Sequence, residues 1–342
     1  MLAVGGVLYS HLWLPSAAGH LGVRLFFVLS GFLITRILLD LRDAEGERGT
    51  IAAGLWRFYV RRALRIWPAY FLLLGVAVLF NLHGIRETAL WHGLFASNIL
   101  FALKNDYVPW ITCAWWSLSV EEQFYLAWPL FMLFPPKRAL PWVAGTTLAI
   151  GLGFHYWMGE SAALAATTLP PASFDALAAG GLLALAAARG RSLRWLPPAA
   201  TAALLIAAVM YALDEGAWWV ETLNVLPMMQ MVSLADRRIA GRFGQLLEIP
   251  LILFAGRISY GIYLYHSFVV DQLFKHSDVI PFVSDRGLGL FVIGTSITFG
   301  IACASWFLVE SPMNALKRYF PYETRPSRLA RQGRTVPAPA RQ

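Results

Sequence analysis

Groups able to move a proton or hold a charge gather in four short stretches of this chain, each set in apolar sequence. The first holds His11, in MLAVGGVLYSHLWLP. An imidazole suits general acid–base work near neutral pH, though a histidine beside a membrane interface can equally be satisfied by a hydrogen bond or water. The second, WWSLSVEEQFY at 115–125, sets Glu121 beside Glu122. A carboxylate facing lipid would cost about 2.5–3.5 kcal/mol, and helical neighbours point about 100° apart, so one of the two should face a bundle interior. The alternative is a solvated helix N-terminus, where the macrodipole favours acids. The third stretch, RRALRIWPAY at 61–70, places Arg61 and Arg65 four apart on one helical face, with Arg62 between them. Guanidinium forks match phosphate oxygens, and the same residues also serve as anchors beside anionic headgroups. In the fourth, RISYGIYLYH at 257–266, Ser259, Tyr263 and His266 share a face, a pattern also met in plain interhelical hydrogen bonding.

The elements that must position these groups follow from composition. The chain is 58% hydrophobic and 14% charged, well short of the roughly 25% charged residues of soluble domains. Apolar residues come in blocks, as at 71–80 and 202–210. The net charge of +8 invites a nucleic-acid reading that the hydropathy opposes; Lys and Arg act here as topology markers. Cys113 and Cys303 are too few for a disulfide framework and read as inert core thiols.

A crossing needs about 20 apolar residues. Candidate stretches are 1–14, 22–39, 67–82, 88–103, 121–135, 140–158, 173–189, 196–213, 217–235, 249–271 and 287–310. Basic clusters at 36–65, 137–138, 189–194, 237–242 and after 312 all fall inside if 88–103, which holds Trp91, His92, Ser97 and Asn98, does not cross. The expectation is an all-α polytopic membrane helix bundle, with about ten transmembrane helices and one interfacial or re-entrant segment. It lies in the inner membrane with both termini cytoplasmic and 83–120 outside. Residues 1–318 form the membrane domain, and 319–342 a basic, disordered cytoplasmic tail. No internal repeat is visible, which counts against inverted-repeat transporters.

Taken in order, LYSHLWLP at 8–15, GVRLFFVLSGFLITRIL at 22–38 and RFYVRRALRIWPAYF at 57–71 resemble the acyltransferase-3 family. So do WWSLSVEEQFYLAWPLF at 115–131, SFDALAAGGLLAL at 173–185, GRISYGIYLYHSFV at 256–269 and VESPMNALKR at 309–318. These are membrane O-acyltransferases that decorate lipopolysaccharide, exopolysaccharide, peptidoglycan and some macrolides. The resemblance implies a ten-span fold, an acyl-CoA donor, a catalytic His11, donor-binding Arg62 and Arg65, and a carboxylate from the VEEQFY stretch. Family members usually carry an arginine at the position that would precede Met1. The first stretch is also short for a crossing, so the native start is expected further upstream. Nothing after residue 318 resembles the extracellular hydrolase-like domain that some members append.

The expected mechanism joins these pieces. Arg61, Arg62 and Arg65 hold the phosphates of acyl-CoA, most simply acetyl-CoA, and the pantetheine arm threads between helices. His11, oriented by Glu121 or its neighbour Glu122, acts as general base on a hydroxyl of a carbohydrate or similar acceptor. Ser119, Tyr263 and His266 are candidates for holding the acceptor or the oxyanion. A covalent acyl-histidine fits the same residues. No metal and no nucleic-acid partner is expected. The rival from another class is a transporter or flippase of a polar or lipid-linked substrate, with the same residues lining its path.

Overall fold

The structure is a computed structural model that describes residues 1–322, apart from 45–47, 160, 162, 214–217, 238, 240 and 284. The tail expected at 319–342 therefore lies, from 323 onward, outside the described residues. Every regular element among the described residues is helical, as the sequence led one to expect. Hydrocarbon offers backbone amides no partner, so a segment of this composition satisfies them within itself. In order the α-helices are α1 (Leu2–Leu8), α2 (Ala18–Ala44), α3 (Arg48–Leu79), α4 (Ala89–Gly93), α5 (Ser97–Lys104) and α6 (Trp115–Leu133). Then come α7 (Leu140–Met158), α8 (Ala165–Thr168), α9 (Phe174–Ala188), α10 (Leu196–Ala212), α11 (Trp218–Leu223) and α12 (Val225–Asp236). The last are α13 (Gly241–Leu247), α14 (Pro250–Arg257), α15 (Ser259–Lys275), α16 (Leu288–Ser305) and α17 (Ser311–Ala315).

The expected count of about ten crossings is corrected by the structure. Among the described residues, four helices are long and apolar enough to span a membrane: Ala18–Ala44, Ile51–Leu79, Pro170–Ala188 and Leu288–Tyr319. The other stretches are shortened by breaks that a count of apolar residues does not register. Leu2–Trp13 stops because Pro15 holds Leu14 in an extended conformation, φ −129° and ψ 115°. The stretch 88–103 is divided between α4 and α5, with Phe95 at φ 52° between them. The stretch 217–235 is divided at Asn224, and 249–271 at Ile258. Helices α6 and α7 run for 19 residues each, but Glu121, Glu122 and Gln123 dilute one, and His155, Tyr156 and Trp157 the other. Exposed Phe131, Trp157, Leu205, Val292 and Leu308 on the outer surface suit a lipid surround.

Helix α2 is the hub. It packs on α1, α6, α9 and α12, most extensively on α9. There the backbones nearly touch: a Cβ on Gly31 would lie 2.0 Å from the Leu177 carbonyl oxygen, and one on Gly180 2.0 Å from that of Val28. Small residues are what allow membrane helices this approach. At one end of the seam Arg24 donates to Asp175, both fully buried, and His155 Nε2 lies 3.6 Å from the same carboxylate. Trp128 Nε1 donates to Thr35 Oγ1 at 2.8 Å and fixes α6 on the other flank.

Removing one partner of a buried ion pair strands the other, at about 3–5 kcal/mol. Arg24→Met and Asp175→Leu, each alone, are therefore expected to lower the unfolding temperature in detergent sharply, and the double variant to recover most of the loss. Equal loss in single and double variants, measured by thermal unfolding, would show that the pair does not hold the seam.

Candidate active site

His11 lies in a π-helical turn, Tyr9–Trp13, that continues α1. Such turns wind in an extra residue and recur at functional sites. Glycines seat this element on α2, since a Cβ on Gly22 would lie 2.3 Å from the Ala3 carbonyl oxygen. The His11 ring faces His266 of α15: Nδ1 is 2.9 Å from His266 Nε2, with ring centroids 4.9 Å apart. His266 is fully buried, and its Nδ1 lies 2.6 Å from the Tyr263 carbonyl oxygen. The Tyr263 hydroxyl donates to the Ala114 carbonyl at 3.1 Å and lies 2.6 Å from Ser117 Oγ. A cavity of about 230 Å³ opens here, lined by Ser10, His11, His20, Trp116, Tyr263 and Arg286 among others. Cys113 also reaches it, its thiol pushed up to about 12 by burial.

A second, larger cavity of about 700 Å³ lies between α3 and α6, walled by apolar groups such as Trp56, Phe71 and Leu126. Tyr59, Arg62, Glu122, Gln123 and Tyr125 are its polar exceptions. The Arg62 guanidinium sits over the rings of Phe58 and Tyr125, at 5.8 and 5.7 Å. Trp67 Nε1 donates to Glu122 Oε2 at 3.1 Å. Arg62 Nε and Glu122 Oε1 are buried without a hydrogen-bond partner among the described residues. An orphaned buried polar atom costs about 1–3 kcal/mol, and this cavity wall carries two.

Helix α6 joins the chambers. Ser117, Glu121 and Tyr125 recur every fourth residue along one face, a distance of about 12 Å along the axis. Ser117 belongs to the His11 end through Tyr263, and Tyr125 lines the large cavity. Glu121 stands between them and accepts hydrogen bonds from Ser30 and Tyr125.

The structure thus brings together some of the residues singled out from sequence and separates others. His11 pairs with His266 rather than with Glu121, and the two adjacent acids serve different neighbours. Ser119 donates to the Trp115 carbonyl of its own helix at 3.0 Å. Ser259 likewise turns back to Gly256. Arg61 donates to the carbonyls of Lys317 and Phe320 and lies 4.6 Å from the centre of the Tyr322 ring. Arg65 sits in the field of Glu310. Glu310 was not among the residues singled out. It is buried at the end of a second π turn, Trp306–Glu310, and accepts from Ser305 Oγ at 3.0 Å. The signal was there: an acid closing an otherwise apolar run. Ser30 carried no such signal, being one hydroxyl in a long helix. Among the described residues no three His, Cys, Asp or Glu side chains gather as a metal would require.

A family model described as an acyltransferase domain matches residues 2–310, which contain the whole lining of the small chamber and all but Met313 of the large one. The peptidoglycan O-acetyltransferase OatA of Listeria monocytogenes is 28% identical over 93% of this chain and 56% of its own length. A putative peptidoglycan O-acetyltransferase of Bacillus subtilis, YrhL, is 38% identical over 34% of this chain and 19% of its own. The O-acetyltransferase OatA of Staphylococcus aureus is 35% identical over 41% and 24%. The chain spans about half, or less, of the length of these curated relatives. No solved structure matches it.

The buried thiol tests how the small chamber is closed. With the Cys113 pKa at about 12, only ~1 thiol in 10⁴ is ionised at pH 8. Cys113 is expected to resist maleimide in the folded protein and to react on denaturation, as read by mass spectrometry. Rapid labelling without denaturant would mean that the chamber opens freely to water.

Proposed function

Since the chain belongs to the acyltransferase-3 family, we propose that it moves an acetyl group from cytoplasmic acetyl-CoA to a hydroxyl of a cell-envelope glycan. The observation that carries this reading is the pair of chambers joined by Ser117, Glu121 and Tyr125 of α6. Acetyl-CoA supplies an activated acyl group as a thioester, on a long arm that ends in phosphates. The large cavity suits it: its walls are mostly apolar, and Arg62 on its lining carries a guanidinium suited to phosphate oxygens. Arg61 and Arg65 flank that site. In this reading the arginine-bearing end faces the cytoplasm, in keeping with the crowding of Arg36, Arg42, Arg57, Arg61, Arg62 and Arg65.

The acceptor enters the small chamber, where Trp116 offers an aromatic wall and His11 a base. As the acceptor oxygen attacks the thioester carbonyl, His11 takes its proton. The new C–O bond forms, the C–S bond breaks, and the leaving thiolate recovers the proton from the imidazolium. Tyr263 and Ser117 supply hydroxyls near the developing oxyanion. Glu121 holds Ser30 and Tyr125 in register between the chambers. The similarity to proteins named as peptidoglycan O-acetyltransferases supports a glycan as acceptor.

Protein purified into nanodiscs and given radiolabelled acetyl-CoA with soluble glycan fragments is expected to transfer label to the fragments. His11→Ala should lower kcat by at least about 10²-fold with little change in KM for the donor. Arg62→Ala should instead raise that KM, and Arg62→Lys should recover only part of the loss, because an ammonium lacks the planar fork. A thioester left intact with every acceptor, alongside glycan movement across the bilayer, would establish a transporter instead.

A further inference from the structure

The histidine pair carries more information than its proximity. A backbone carbonyl can only accept, so the 2.6 Å contact between His266 Nδ1 and the Tyr263 oxygen places a hydrogen on that nitrogen. His266 is fully buried and has no carboxylate among its hydrogen-bond partners, so as a cation it would be a buried charge with no counter-ion. Arg286, on the chamber wall with His11, is a further positive charge and supplies no counter-ion. A neutral His266 with hydrogen on Nδ1 bears its lone pair on Nε2. That lone pair faces His11 Nδ1 at 2.9 Å, and two lone pairs cannot share such a contact, so His11 Nδ1 carries the hydrogen. A neutral ring holds one N–H, so the basic nitrogen of His11 is Nε2.

We propose that His266, itself fixed by the Tyr263 carbonyl, is a positioning residue that locks His11 into the tautomer whose Nε2 is free to take the acceptor proton. In serine hydrolases a buried carboxylate orients the base in the corresponding way; here a neutral ring does it. Orientation and tautomer are set without placing a negative charge beside the base. The other titratable groups of the chamber wall, His20, Tyr107 and Cys113, make no hydrogen bond to either ring among the described residues. The catalytic consequence rests on the acyl-transfer reading; the tautomer does not.

Two measurements separate the ideas. In protein carrying ¹⁵N-histidine, nitrogen NMR distinguishes protonated from lone-pair ring nitrogens, with His11 assigned by its loss in His11→Gln. A protonated Nδ1 and a bare Nε2 on His11 are expected; the reverse pattern overturns the proposal whatever the activity. His266→Leu should lower kcat by about 10- to 100-fold while KM for acetyl-CoA stays unchanged, which also reports that the donor site is folded. His266→Gln, whose amide can accept from His11 and donate to the Tyr263 carbonyl, should recover most of that loss. Full kcat in His266→Leu, or no recovery in a folded His266→Gln, overturns the positioning role. Should His266→Leu fail to fold, the nitrogen spectra and the glutamine variant still decide. Full activity in His11→Ala would remove the acyl-transfer reading instead, leaving the spectra to judge the tautomer alone.

Discussion

Where α2 crosses α9, two backbones meet with only the hydrogens of Gly31 and Gly180 between them, and Arg24 and Asp175 close one end of the seam. Much of what positions the site is referred to this contact. One face of α2 is spent on α9; the others carry Ser30 to Glu121, Thr35 to Trp128, and Phe26 to the Tyr263 ring. A shift of α2 along α9 would therefore displace both the acid between the chambers and the aromatic wall behind the histidine pair. Packed interiors move between discrete arrangements rather than yielding gradually, so the seam fixes the site.

The charged groups divide by what they face. Arg24 and Asp175 answer each other directly, and the Ala172 carbonyl and His155 lie close by. Lys137 with Asp43, and Arg36 with Asp236, are exposed pairs that contribute little. Arg62 and Glu122 each keep a buried polar atom without a partner, as Arg24 does at Nε, but these two line a cavity. A membrane protein tolerates such groups where they serve a path or a ligand. The contrast within one molecule is between a charge pair packed into a helix seam and two charges set on a cavity wall.

Much of this was legible in the sequence, and the remainder failed for identifiable reasons. Helical class, family and the polar stretches could be read directly, because each is a local run of residue types. The number of crossings could not, because a window over 249–271 averages across the break at Ile258, and one over 217–235 across Asn224. Arg61 and Arg65 were read as sharing a face if their segment is helical, and they do lie on α3, but the carbonyls of Lys317 and Phe320 that Arg61 meets come from the far end of the chain. The pairing of His11 with His266 joins residues 255 apart. No spacing rule reaches that far. His266 was visible as one member of a polar stripe on its own helix, and only the folded bundle shows what the stripe meets.

The two π turns, Tyr9–Trp13 at the end of one apolar helix and Trp306–Glu310 within another, each hold a buried or half-buried ionisable group, His11 and Glu310. A π turn is a helix with one residue more than its ladder needs. Deleting Tyr9 or Ser10 would let the first turn return to ordinary α geometry and carry the His11 imidazole off its partner. At such a turn chain length matters to the geometry as well as residue type. A gap of one residue would be as damaging as the loss of the histidine itself, even with every functional side chain still present in the sequence.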